Sequence, residues 1–139
     1  SIEYRTKLAW ADTAAGICLS NGGADLPHPL GEIIGGICQR IAHGETLAIV
    51  YPAFLEYKEK IAAEKFRNIA SYLGIEKTPK ALTNEIIGLL KTTDLIRSKS
   101  RAAITLNEQA EILSHPLLKK LDPKNSEKIL SIMSQSIEE

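Results

Sequence analysis

Apolar residues in this chain recur at every third or fourth position, in segments punctuated by glycine and proline, and nowhere do they alternate for the length of a strand. A chain with that single period can bury its apolar stripes only by packing helices on one another. The fold class is therefore expected to be all-α, a compact multi-helix bundle. With 139 residues the chain is long enough for one core, so residues 1–139 are expected to form a single helical domain.

The punctuation places the helices. Residues 3–19 put Leu8, Ala11, Ala15, Cys18 and Leu19 on one stripe, which predicts a helix packed tightly through its alanines and stopped at Ser20-Asn21-Gly22-Gly23. Asp25 offers an N-cap, Pro27 and Pro29 suit a first turn, and a second helix is predicted from about Leu26, with Leu30, Ile33, Ile34 and Ile37 on it. Gly35-Gly36 marks a close helix contact or a break. Two helices are predicted over 44–57 and 58–73, the first kinked at Pro52 and the second ended by Gly74. A further helix is capped at Thr83 or Asn84 and reaches about Arg97, a short one starts at Asn107, another has Pro116 at its first position, and the last covers about 126–137.

Charge and targeting signals exclude several classes of function. The 17 basic and 17 acidic residues cancel without clustering, so no nucleic acid or anionic lipid partner is expected. No apolar run approaches the roughly 20 residues of a membrane span, and Glu3, Arg5, Lys7 and Asp12 break any leader core, which reads as a cytoplasmic chain without membrane association. The chain opens at Ser1 directly into helical sequence, as expected of a fragment or processed product. Cys18 and Cys38 lie in apolar helical surroundings and are expected to be buried reduced thiols.

Chemistry-bearing residues are few. His28 sits between two prolines in DLPHPLGE, and His43 sits in IAHGE at a junction between helices. Both stand on stiff or cornered backbone, which suits a ligand, but two histidines 15 residues apart fit structural roles as well as a metal site. Glu32 follows His28 by four residues and shares its helix face, where an exposed carboxylate is the plain alternative to a catalytic one. His115, before Pro116, reads as a helix-start residue without a role. Nucleophile motifs, thiolate pairs and phosphate-binding glycine loops are absent from the sequence.

The stretch AAGICLSNGGADLPHPLGEIIGGICQRIAHGETLAIVYP, residues 14–52, resembles the segment of the iron-containing (group III) alcohol dehydrogenases that runs from their "AG…SN.G" helix end to their "HG…A..LP" helix start. The likeness extends to Glu3-Tyr4-Arg5 through Trp10, to Ile69-Ala70-Ser71-Tyr72-Leu73-Gly74 and to HPLLKKLDPKNSEKILSIM. The resemblance implies the helical C-terminal domain of a dehydroquinate synthase-like fold, whose partner is an N-terminal nucleotide-binding domain absent from this chain. It implies a divalent metal, Fe(II) or else Zn(II), held by one Asp and three His, with NAD or NADP as hydride carrier and a small-molecule alcohol or carbonyl compound as substrate. His28 and His43 match the last two of those histidines; the Asp and first His have no counterpart here. A further family histidine, near the nicotinamide, is Glu32 in this chain, and the ligand spacing is longer by one. A catalytic role at Glu32 is thus carried over only onto an altered residue type. A homo-oligomer is left open, and a non-catalytic helical interaction module is the alternative reading.

Shared ligation also makes a demand on the backbone. Fifteen residues of unbroken helix would separate the two Cα atoms by about 22 Å, whereas ligand nitrogens lie about 2.0–2.1 Å from one ion. The chain must turn back between His28 and His43, and Gly35-Gly36 is the expected place. His43 should then open the next helix, with Gly44 giving room for close approach.

Overall fold

The structure is a computed structural model describing residues 1–95, 104–122, 124 and 126–138. Among the described residues there are eight α-helices and no strand: α1 (Ile2–Gly22), α2 (Pro27–Ile37), α3 (His43–Ile61), α4 (Ala63–Tyr72), α5 (Pro79–Thr92), α6 (Leu106–Ser114), α7 (Pro116–Leu121) and α8 (Ser126–Glu138). The all-α expectation holds.

The bundle is organised around α3, against which α2, α4, α5 and α8 all pack. Ala48, Ile49, Val50, Ala53, Phe54 and Leu55 of α3 are buried, so this helix meets partners around most of its girth. Leu30, Ile33 and Ile34 of α2 close one side; Ile129, Ile132 and Met133 of α8 close another. Each fully buried Leu or Ile side chain contributes about 1.5–3 kcal/mol of transfer free energy. Pro52 lies inside α3 without dividing it. The break falls at Ala62, four residues beyond the predicted one, where the Ala62 N–H still donates to the Lys58 carbonyl.

Local rules account for most boundaries. α2 opens on Pro27, and α7 opens on Pro116, where a missing N–H costs nothing. After α4, Gly74 takes φ +70° and the Ile75 N–H reaches back to the Ala70 carbonyl, which ends that helix as predicted. Two caps differ from expectation. α5 is capped by Thr78, whose hydroxyl accepts from the Ala81 N–H at 3.2 Å; Thr83 is buried inside the helix, donating to Glu59. α6 is capped by Thr105 and not Asn107, with Glu108 returning two bonds to Thr105. α5 stops at Thr92, and the predicted end near Arg97 lies outside the described residues.

The first helix departs most from expectation. α1 runs through Ser20-Asn21-Gly22 to a Gly23 cap, and none of its residues is buried. Leu8 is 76% exposed and Trp10 68%. Its alanine stripe is not packed, because no described element covers it. The helix is held by its own bonds: Thr6, Thr13 and Ser20 donate to carbonyls four residues back, and Lys7 pairs with Glu3. Cys18, expected inside, is exposed for the same reason; Cys38 is buried.

Candidate functional site

His28 is the second residue of α2, and the prolines on either side fix its backbone. The start of α2 is tied down by Asp25, which is not its cap: one carboxylate oxygen accepts from the Leu26 N–H and the other from Lys58 of α3. Burial opposes ionisation of Asp25, but these donors outweigh it and hold the carboxyl below its ordinary range.

His43 is the first residue of α3. Glu45 steadies that end by accepting from the Ala42 N–H at 3.2 Å. The chain reaches this point through a turn over 38–42, in which Cys38 and Ile41 are buried and the Ile41 N–H donates to the Cys38 carbonyl. The same turn is pinned from outside by Arg40, whose guanidinium forms a bidentate pair with Glu108 of α6 at 2.6 and 2.7 Å. Arg40, together with donors from Thr105, lowers the Glu108 pKa from 4.5 to about 2. Burial, reinforced by the negative charge of Glu108, pushes the Cys38 thiol up.

The turn brings the two imidazoles together, with ring centroids 5.1 Å apart and planes inclined at 58°. It is not made at Gly35-Gly36, since α2 continues through both glycines to Ile37. The close crossing of α2 and α3 lies instead at Gly31: a Cβ there would stand 2.9 Å from Leu47 Cδ2 and 3.1 Å from Thr46 Oγ1. Gly44 is not a contact glycine, because a Cβ on it would meet nothing within 4 Å.

Both histidines face an open cleft of about 640 Å³. α2 and α3 supply one wall, with Leu47, Tyr51 and Phe54 beside the imidazoles, and α1 supplies the other through Asp12, Ala15 and Leu19. Glu32 is exposed, with Oε1 3.8 Å from His28 Nε2, which is too long for a hydrogen bond. It lies outside the lining of this cleft, on a smaller depression shared with Glu111 and His115. His115 caps α7, as its position before Pro116 suggested. Among the described residues no group of three or more His, Cys, Asp or Glu side chains is arranged to hold a metal ion. Sequence reasoning missed Gly31 and Thr46, which join the two histidine-bearing helices.

The family model for the C-terminal part of Fe-containing alcohol dehydrogenases matches residues 1–135. The chain belongs to the Fe-containing alcohol dehydrogenase family. A choline dehydrogenase of Bacillus subtilis (strain 168) is 34% identical over 84 residues, covering 60% of this chain and 20% of the relative. An NAD-dependent methanol dehydrogenase of Bacillus methanolicus is 32% identical over 73 residues, covering 52% of this chain and 19% of the relative. The chain thus spans about a fifth of the length of these relatives, and corresponds to the C-terminal region of an Fe-containing alcohol dehydrogenase. No solved structure matches it. No helix among the described residues is long and apolar enough to cross a membrane.

Proposed function

We propose that this chain is the part of a metal-dependent, NAD(P)-linked alcohol dehydrogenase that supplies His28 and His43 to a divalent cation, Fe(II) or else Zn(II). The observation that carries the reading is the 5.1 Å separation of the two rings. With metal–nitrogen bonds of about 2.0–2.1 Å, each ring centre lies roughly 3.2 Å from the ion, and two imidazoles at a tetrahedral angle have centroids roughly 5.2 Å apart. Family membership and the two dehydrogenase relatives support the same reading.

When bound, such a cation polarises the oxygen of an alcohol or carbonyl substrate while hydride passes between carbon and nicotinamide. The residues of this chain orient and enclose. Pro27, Pro29 and the 38–42 turn fix the imidazoles, and Leu47, Tyr51 and Phe54 give the substrate end an apolar wall. Glu32 enters as the candidate acid–base group and reaches the site only by way of His28, since its carboxylate stands 3.8 Å from His28 Nε2 and outside the lining of the cleft. The remaining ligands and the nucleotide-binding domain are assigned to sequence outside this chain, in a cytoplasmic protein whose other partner is its small-molecule substrate.

Activity tests this directly. The 139-residue chain alone should show no NAD(P)-dependent alcohol oxidation. The protein containing it together with an upstream nucleotide-binding region should oxidise alcohols, lose activity to a chelator and regain it with Fe(II) or Zn(II). Turnover by the isolated chain, or chelator-resistant turnover by the longer protein, contradicts the proposal.

A further inference from the structure

We infer that Thr46 and Gly31 form a positioning pair that sets the spacing of the two imidazoles, so that affinity for a divalent cation depends on both although neither is a ligand. This rests on the reading of His28 and His43 as ligands.

Thr46 is fully buried, one turn after His43, and its hydroxyl donates to the His43 carbonyl at 2.8 Å. Gly31 is three residues after His28 on α2. The hydroxyl is confined on its other side by Gly31, where a Cβ would approach to 3.1 Å, and a Cβ at Gly31 would also stand 3.4 Å from the Leu47 backbone nitrogen. The Thr46 methyl group reaches toward Gly35, 3.8 Å from where its Cβ would be. One side chain thus fills the crossing of α2 and α3, and both histidines stand one turn away from it. Gly36 and Gly44 would accept a Cβ without contact, so the steric demand is local to this crossing. A packed interior does not absorb an added methyl for nothing. An alanine at position 31 must push Leu47 Cδ2 or the Thr46 hydroxyl aside, and either shift changes how the start of α3 seats against α2.

Groups that hold a ligand in place, without touching the metal, commonly change metal affinity about 10–100-fold when altered. The test is titration of the chain with Co(II), read by the visible absorption of the bound ion. Thr46→Val keeps the shape and removes the hydroxyl; it should weaken Co(II) binding about tenfold and shift the spectrum. Gly31→Ala should weaken binding in the same direction, while Thr46→Ser, which keeps the hydroxyl, should stay within about twofold of the parent chain. Thermal melts are run on every variant, since a purely structural role lowers Tm and leaves the Kd of the folded protein unchanged. His28→Ala and His43→Ala are the reference arms. If they abolish Co(II) binding while Thr46→Val and Gly31→Ala bind like the parent, the positioning role is overturned and the ligand reading survives. If the histidine variants also bind like the parent, the ligand reading falls and takes the positioning role with it. Should Thr46→Val fail to fold, Gly31→Ala decides on the same titration.

Discussion

The two walls of the cleft are built from similar helical patterns and end in opposite states. α1 has 21 residues with leucine and alanine at helical spacing and buries none of them; α2 has 11 residues and buries Pro27, Leu30, Gly31, Ile33 and Ile34. Periodicity identifies the face a helix offers, and only the rest of the structure decides whether anything meets it. The difference gives the site one fixed wall, which carries the histidines, and one wall that buries no side chain among the described residues.

The largest effect that can break this comparison is in the core of the fixed wall. Ile34→Ala removes a fully buried side chain and should cost about 2–5 kcal/mol in urea unfolding, whereas Leu8→Ala on α1 should stay within about 0.5 kcal/mol. Equal losses would mean that α1 packs on the bundle in solution. Next comes a cap: Thr78→Ala should lose about 1 kcal/mol, and no loss would return the start of α5 to Thr83 or Asn84.

The Arg40–Glu108 clamp behind His43 gives a pH-dependent contrast. Glu108 has a folded pKa of about 2 against an ordinary 4.5, so its stabilising effect is complete above 4.5 and is lost as pH falls from there toward 2. The Tm gap between the parent chain and Glu108→Gln should therefore be constant near neutrality and close over that acid range. A gap unchanged at pH 2.5 would contradict the clamp. The smallest effect belongs to Trp10, the single tryptophan, which is 68% exposed. Iodide should quench its fluorescence nearly as freely as that of a short peptide, and strong protection would place a partner on α1.

What was legible in the sequence was mostly local. Proline at a first helical position marked α2 and α7, Gly74 marked the end of α4, and the final helix was placed within a residue of where it lies. Thr105 and Glu108 carried a readable capping-box spacing, and Thr78-Pro79 a readable start, but Asn107 and Thr83 offered competing side chains. Thr83 lost because its hydroxyl has a tertiary partner in Glu59, which no local rule reveals. The site divided in the same way. The family resemblance, by giving His28 and His43 to one ion, together with the length of an unbroken helix, implied that the chain turns back between them, and the rings do meet. Which glycine makes the crossing depended on the face that α3 meets, so Gly31 was invisible beside the more conspicuous Gly35-Gly36. The exposure of Cys18 was illegible for the reason that α1 as a whole was.

The central claim is that His28 and His43 act as one cation site. It is tested most directly by imidazole NMR of the chain during a Zn(II) titration, with His115 as internal reference. The account predicts that the ring signals of His28 and His43 shift together along one saturation curve, with weak affinity since the described residues bring together two candidate ligands where three or more are usual, while His115 stays unmoved. Independent curves for His28 and His43, or shifts no larger than those of His115, would contradict it.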